Sequence, residues 1–137
     1  IFRQQMEDKG IKFEIYGDAI IEAWQQDIAA IFTNLIENSI FWLSEKNTDI
    51  KEIMVNIITN ENSLSYIDFR DTGPGIESNL IEDNLIFEPQ FSTKPGGTGI
   101  GLAIAGEAAD RNGLKLTALE STTGAYFRLS PKGDENE

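Results

Sequence analysis

The chain has no cysteine and no histidine among its 137 residues. The first absence excludes disulfides, thiolate nucleophiles and thiolate-bound zinc. The second excludes imidazole acid–base chemistry, histidine metal ligation and any phosphohistidine carried on this chain. Positive charge is scarce too: 11 basic residues face 23 acidic ones, for a net charge of −12. That balance argues against nucleic acid or an anionic membrane as a general partner. An anionic ligand would need a local site that overrides the global field, and backbone amides supply one without side-chain charge. No apolar run approaches the ~20 residues of a membrane span, and no signal-peptide pattern opens the chain. It begins at Ile1 rather than methionine, so it is expected to be a piece of something longer, with any membrane anchor elsewhere.

What is present suits one globular domain with a two-layer core. Its centre of organisation is Gly96-Gly97-Thr98-Gly99-Ile100-Gly101-Leu102-Ala103-Ile104, where four glycines in six residues run into helical spacing. Without Cβ atoms, consecutive N–H groups can turn toward one anion, and the following helix N-terminus adds unpaired donors. Each dipole contact contributes only ~0.3–1 kcal/mol, so several must converge on a highly charged group, and a polyphosphate meets that requirement. The bland alternative is a glycine loop covering a helix end.

Ile1 to Lys9 is helix-compatible and stops at Gly10, as the end of an upstream linker helix would. Ile11, Phe13 and Ile15 alternate with polar or amphipathic neighbours as a strand, and Gly17-Asp18 reads as a turn into a second strand from Ala19 to about Trp24, forming a hairpin. From about Gln25 to Leu43 the period becomes helical, with Ile28, Ile31, Leu35 and Trp42 on one stripe. Asn38 fills the missing step and Asn34 lies one turn earlier. A carboxamide there must find a partner, either a loop backbone or a metal or phosphate.

Ile53, Val55 and Ile57 mark a third strand, Glu61-Asn62 a turn, and Ser65 to Asp71 a fourth strand with Ile67, Phe69 and Asp71 on one face. A buried carboxylate needs a donor. Asp71 either caps the Thr72-Gly73-Pro74-Gly75-Ile76 turn or accepts from a purine amino group. Glu77 to Asp83 reads as a short acidic helix, and Ile86 to Gly97 as a loop carrying Phe87, Phe91 and Lys94. Lys94 either pairs with a phosphate or is simply solvated. Leu102, Ala105, Ala108 and Ala109 line a helix that ends at Gly113. Leu114–Ala118 and Ala125–Leu129 follow as strands, joined near Thr122-Thr123-Gly124. The acidic stretch 132–137 is expected to be a disordered tail.

The order of these features resembles that of sensor histidine kinases. Asn34-Leu35-Ile36-Glu37-Asn38-Ser39 resembles the asparagine box, and Asp71-Thr72-Gly73-Pro74-Gly75-Ile76 the first glycine box. Ile86-Phe87-Glu88-Pro89 with Ser92-Thr93-Lys94 resembles the phenylalanine box, and Gly97-Thr98-Gly99-Ile100-Gly101-Leu102 the second glycine box. The resemblance implies a GHKL ATPase fold over residues 11–131: an α/β two-layer sandwich with a mixed, mainly antiparallel sheet against helices. It further implies that Asn38 coordinates Mg²⁺ on the phosphates of ATP and that Asp71 accepts from the adenine amino group. Gly73, Gly75 and Ile76 would shape the adenine pocket, while Lys94, Gly97, Thr98, Gly99, Gly101 and Leu102 would form a short lid and phosphate cradle.

Hydrolytic relatives of this fold carry a glutamate one turn before the metal-binding asparagine. Here that position is Asn34, which cannot act as a general base, and this favours phosphotransfer. With no histidine on the chain, the resemblance implies a cytoplasmic domain whose phosphoacceptor belongs to an upstream dimerisation domain, with a response regulator as partner and a homodimer only in the longer protein. Phe41 and Trp42 stand where many relatives carry a lysine and then a histidine or tyrosine, and Ala125 where many carry threonine. These departures leave a nucleotide-sensing interaction module, or an ATPase or serine kinase of the same fold, as the competing readings.

Overall fold

A computed structural model describes residues 2–45, 50–88 and 101–133. Helix α1 (Arg3–Asp8) leads into strand β1 (Lys12–Tyr16), and the long α2 (Gln25–Glu45) precedes the hairpin of β2 (Glu52–Asn60) and β3 (Ser63–Asp71). A single turn, α3 (Ser78–Ile81), passes into a 3₁₀ segment (Glu82–Phe87), so the expected acidic helix is broken into two pieces. Then come α4 (Gly101–Arg111), β4 (Leu114–Ala118) and β5 (Tyr126–Pro131). The sheet runs β1-β2-β3-β5-β4, parallel between β1 and β2 and antiparallel elsewhere. This is the mixed, mainly antiparallel sheet that the sequence implies.

Alternation along the strands sends one face to the helices. Ile53 and Val55 of β2 face Asp71 and Phe69 of β3, Phe69 faces Phe127 of β5, and Leu129 of β5 faces Leu116 of β4. These pack with Ile31, Leu35, Ile40 and Leu43 of α2 and Ala105, Ala108 and Ala109 of α4. Each large apolar side chain so buried contributes ~1.5–3 kcal/mol. The alanines of α4 let it lie close to both α2 and β4. At the β2–β3 turn, Glu61 and Asn62 both have positive φ, the backbone of a tight two-residue hairpin connection.

One expected element is absent. Ala19 to Trp24 forms no strand, and β1 pairs in parallel with β2 rather than with its own continuation. At Gly17 the chain presses against β2, where a Cβ would lie 2.3 Å from the carbonyl oxygen of Ile57. From there it leaves the sheet, and Ile20 is 95% exposed. The adjacent Ile20-Ile21 pair breaks the alternation that a half-buried strand needs.

The opposite face of the sheet is built from charged and aromatic side chains. Asp68 accepts from Arg128 Nε at 2.8 Å and from the Tyr126 hydroxyl at 2.8 Å. Arg128 stacks over Tyr66 and Arg70 over Tyr126, each guanidinium carbon 4.0 Å from the ring centre. Burial and the bond to Asp68 push the Tyr126 phenol above its usual range, and the Asp68 partnership does the same for Arg128. Among the described residues, no helix is long and apolar enough to cross a membrane.

Candidate functional site

The site lies where α2, the end of β3 and the start of α4 meet. The most deeply buried line of α2 is Ile31, Leu35, Ser39 and Leu43, at steps of four. It is turned by one residue from the stripe expected through Asn38 and Trp42. Asn38 and Trp42 are therefore half-buried along its edge, and Glu37 is exposed on another side.

Asn34 and Gly101 come together at the start of α4. Asn34 Nδ2 donates to the Ala30 carbonyl at 2.8 Å, which turns Oδ1 toward the first residue of α4. A Cβ on Gly101 would stand 2.9 Å from that oxygen. Asn38, one turn further on, makes no side-chain hydrogen bond among the described residues. Its amide oxygen is a hard donor of the kind Mg²⁺ takes, and no cluster of three or more acidic side chains competes for a cation among the described residues. One such oxygen suits an ion that keeps most of its ligands as water and phosphate oxygen.

Asp71 ends β3 on the core-facing side and is 4% exposed. Its carboxylate collects donors from three places. Gly73 N–H and Ala125 N–H reach Oδ1 at 2.9 and 3.0 Å, and Ser39 Oγ donates to Oδ2 at 2.6 Å. The turn-capping role is thus real, through Gly73. Asp71 N–H also donates to the Ala125 carbonyl at 3.1 Å, locking the two segments together. Trp42 lies beneath the turn, its Cβ 3.7 Å from the position a Gly73 Cβ would take. Gly75 has positive φ beside Gly124, while Ile76 and Leu102 are half-buried against the core. Lys94, Gly97, Thr98 and Gly99 lie outside the described residues, as do Phe91 and the tail from 134 onward. Of the phenylalanine box, Ile86 is buried and Phe87 meets Phe127 edge-on at 6.1 Å between ring centres.

Two contributors escaped sequence reasoning. The Ala125 amide is a backbone donor and leaves no mark in the sequence. Ser39 did leave one, since it is the polar member of an otherwise apolar line at four-residue spacing. The far end of the helix pair is closed by a polar clasp. Arg111 Nη2 donates to Asp27 Oδ1 at 2.9 Å, Asn112 Nδ2 to Asp27 Oδ2 at 3.0 Å, and the Trp24 N–H to Asn112 Oδ1 at 2.7 Å. Arg111 and then Asn112 hold the Asp27 carboxyl below the usual carboxylate range. A separate groove of about 240 Å³ between α1 and α2, lined by Gln5, Lys9, Glu37, Ile40, Phe41 and Ser44, contains none of the expected site residues.

Comparison with known proteins agrees with this fold. Residues 24–135 match the family described as histidine kinase-, DNA gyrase B- and HSP90-like ATPase. The sensor protein FixL of Bradyrhizobium diazoefficiens is 26% identical over 88% of this chain and 23% of its own length. The swarming motility regulation sensor protein RssA of Serratia marcescens is 31% identical over 82% of this chain and 24% of its own length. The chain thus spans about a quarter of each relative. The solved catalytic domain of histidine kinase ThkA is 25% identical with a TM-score of 0.74, covering 96% of this chain and 84% of that one. ThkA has also been solved in complex with response regulator protein TrrA. By fold, motif order and sequence, this chain belongs to the histidine kinase-, DNA gyrase B- and HSP90-like ATPase family.

Proposed function

We propose that this chain is the ATP- and Mg²⁺-binding catalytic domain of a two-component sensor histidine kinase, presenting the γ-phosphate of ATP to a histidine on a separate phosphoacceptor domain. The observation that carries the reading is the buried Asp71 carboxylate, held by Ser39, Gly73 and Ala125 at the mouth of a turn that faces α2. In this reading Asp71 accepts from the adenine amino group. Gly73, Gly75 and Ile76 line the base, Asn38 holds Mg²⁺, and Gly101 and Leu102 continue a cradle that includes Lys94, Gly97, Thr98 and Gly99. Bound Mg²⁺ would neutralise phosphate charge and so favour in-line transfer.

Asn34 argues for transfer to a protein rather than to water. Its amide nitrogen is engaged by the Ala30 carbonyl, and a carboxamide cannot take a proton from water at neutral pH. In this reading an upstream dimerising domain of the same protein carries the histidine, and a response regulator is the partner that then receives the phosphate.

Calorimetric titration of the chain with ATP and Mg²⁺, alongside GTP and an Asp71→Asn variant, tests the assignment. ATP is expected to bind, with GTP and Asp71→Asn each weaker by at least about tenfold. Asn38→Ala is expected to abolish the dependence of ATP binding on Mg²⁺. A folded chain that ignores ATP would refute the proposal, as would one that binds ATP and GTP alike. Transfer from labelled ATP to a histidine-bearing dimerisation domain then separates a kinase from a sensing module.

A further inference from the structure

A carboxylate offers about four lone-pair sites. On Asp71, the amides of Gly73 and Ala125 occupy the two on Oδ1, and the Ser39 hydroxyl at 2.6 Å occupies one on Oδ2. A single acceptor site is left. Ser39 is 2% exposed and in line with Ile31, Leu35 and Leu43, where an alanine would satisfy packing without a polar atom to partner. Its hydroxyl donates to Asp71 and to no other group among the described residues.

We propose that Ser39 is a positioning residue for base selection: it fills one lone pair of Asp71 Oδ2, so that the carboxylate presents one acceptor toward the nucleotide base. One acceptor suits one exocyclic N–H of adenine. A carbonyl at the same place, as in guanine, sets lone pair against lone pair and is rejected. Without the Ser39 hydroxyl, Oδ2 has two open sites in a buried setting, and the amino group meets a less sharply directed partner. This inference rests on the reading of Asp71 as the residue that contacts the base.

The test compares ATP with purine riboside triphosphate, which lacks the exocyclic amino group, each with Mg²⁺, on the 137-residue chain and its Ser39→Ala variant. The readout is the ratio of the two dissociation constants. The unaltered chain is expected to prefer ATP. Ser39→Ala is expected to shrink that preference by about five- to tenfold while leaving purine riboside triphosphate within about twofold. Ser39→Cys, close in size but a weak donor, is expected to fall between, and it carries the same comparison if Ser39→Ala fails to fold. An unchanged ratio overturns the proposal, as does an equal loss of both ligands, which would mark Ser39 as merely structural. If the unaltered chain itself shows no preference for ATP, the reading of Asp71 fails instead, and the two failures are told apart by which protein shows them.

Discussion

Replacing Gly124 with alanine should damage the fold and the nucleotide site together, by an amount that a second glycine calibrates. Gly124 has φ +79, and a Cβ there would lie 1.9 Å from the Asp71 carbonyl oxygen and 2.9 Å from Asp71 Oδ1. Gly113 has φ +69 with nothing within 4 Å of the same added atom. An alanine in the left-handed region costs about 1 kcal/mol by itself, and this is all that Gly113→Ala should lose. Gly124→Ala adds a backbone clash that must push β3 from β5, for a further ~2–3 kcal/mol. For a domain of this size, thermal unfolding should register about 4 °C for Gly113→Ala and about 12–16 °C for Gly124→Ala. The displaced segment also carries the Ala125 amide, just before β5, which donates to Asp71 Oδ1 at 3.0 Å. ATP affinity should therefore fall in Gly124→Ala, measured well below its melting point, and hold in Gly113→Ala. Equal melting shifts, or an unaltered ATP affinity in Gly124→Ala, would mean that the close approach of Gly124 to Asp71 governs neither the fold nor the site.

Two pH effects follow, one from an ion pair and one from a hydrogen bond to a carboxylate. Arg111 and Asn112 depress the Asp27 carboxyl, so the stability it contributes is present above its unfolded value near about pH 3.9 and is lost as pH falls through its lower folded value. Asp27→Asn should thus melt earlier than the parent at neutral pH, with the two curves drawing together as pH falls through the lowered folded value. Tyr126 behaves in the opposite sense: burial and Asp68 raise its phenol, so its contribution is intact below about pH 10 and fades as pH climbs through the raised folded value. The difference in alkaline absorbance between the parent and Tyr126→Phe should give a midpoint above that of a free tyrosine, and a midpoint at or below it would contradict the Asp68 bond.

Local signals were readable from the residues. The β2–β3 hairpin follows from alternation on either side of Glu61-Asn62, α2 from its period, and the small-residue face of α4 from its alanines. The candidate site was legible as an order of motifs, because each motif must produce its own short backbone shape. What the chain hid is non-local. Nothing in Lys12–Tyr16 specifies that its partner is β2, 40 residues away, rather than the next few residues. The bonds from Ser39 and Ala125 to Asp71 join positions 32 and 54 residues apart. The one-residue rotation of the buried line of α2 depends on which way the sheet and α4 press on it, and periodicity alone cannot choose between adjacent stripes.

Helix α2 gathers Asn34, Asn38, Ser39 and Trp42 within nine consecutive residues, and its first turn is clasped to the end of α4 through Asp27, Arg111 and Asn112. One residue inserted or deleted between Asp27 and Asn34 would turn all four of those side chains by about 100° and slide them about 1.5 Å. Asn34 would leave Gly101 and Ser39 would leave Asp71 in the same step. Evolution can therefore alter this helix by substitution but hardly by length. Changes in length are better tolerated in the stretch between Gly17 and Trp24, where the chain has already left the sheet and has not yet entered the helix.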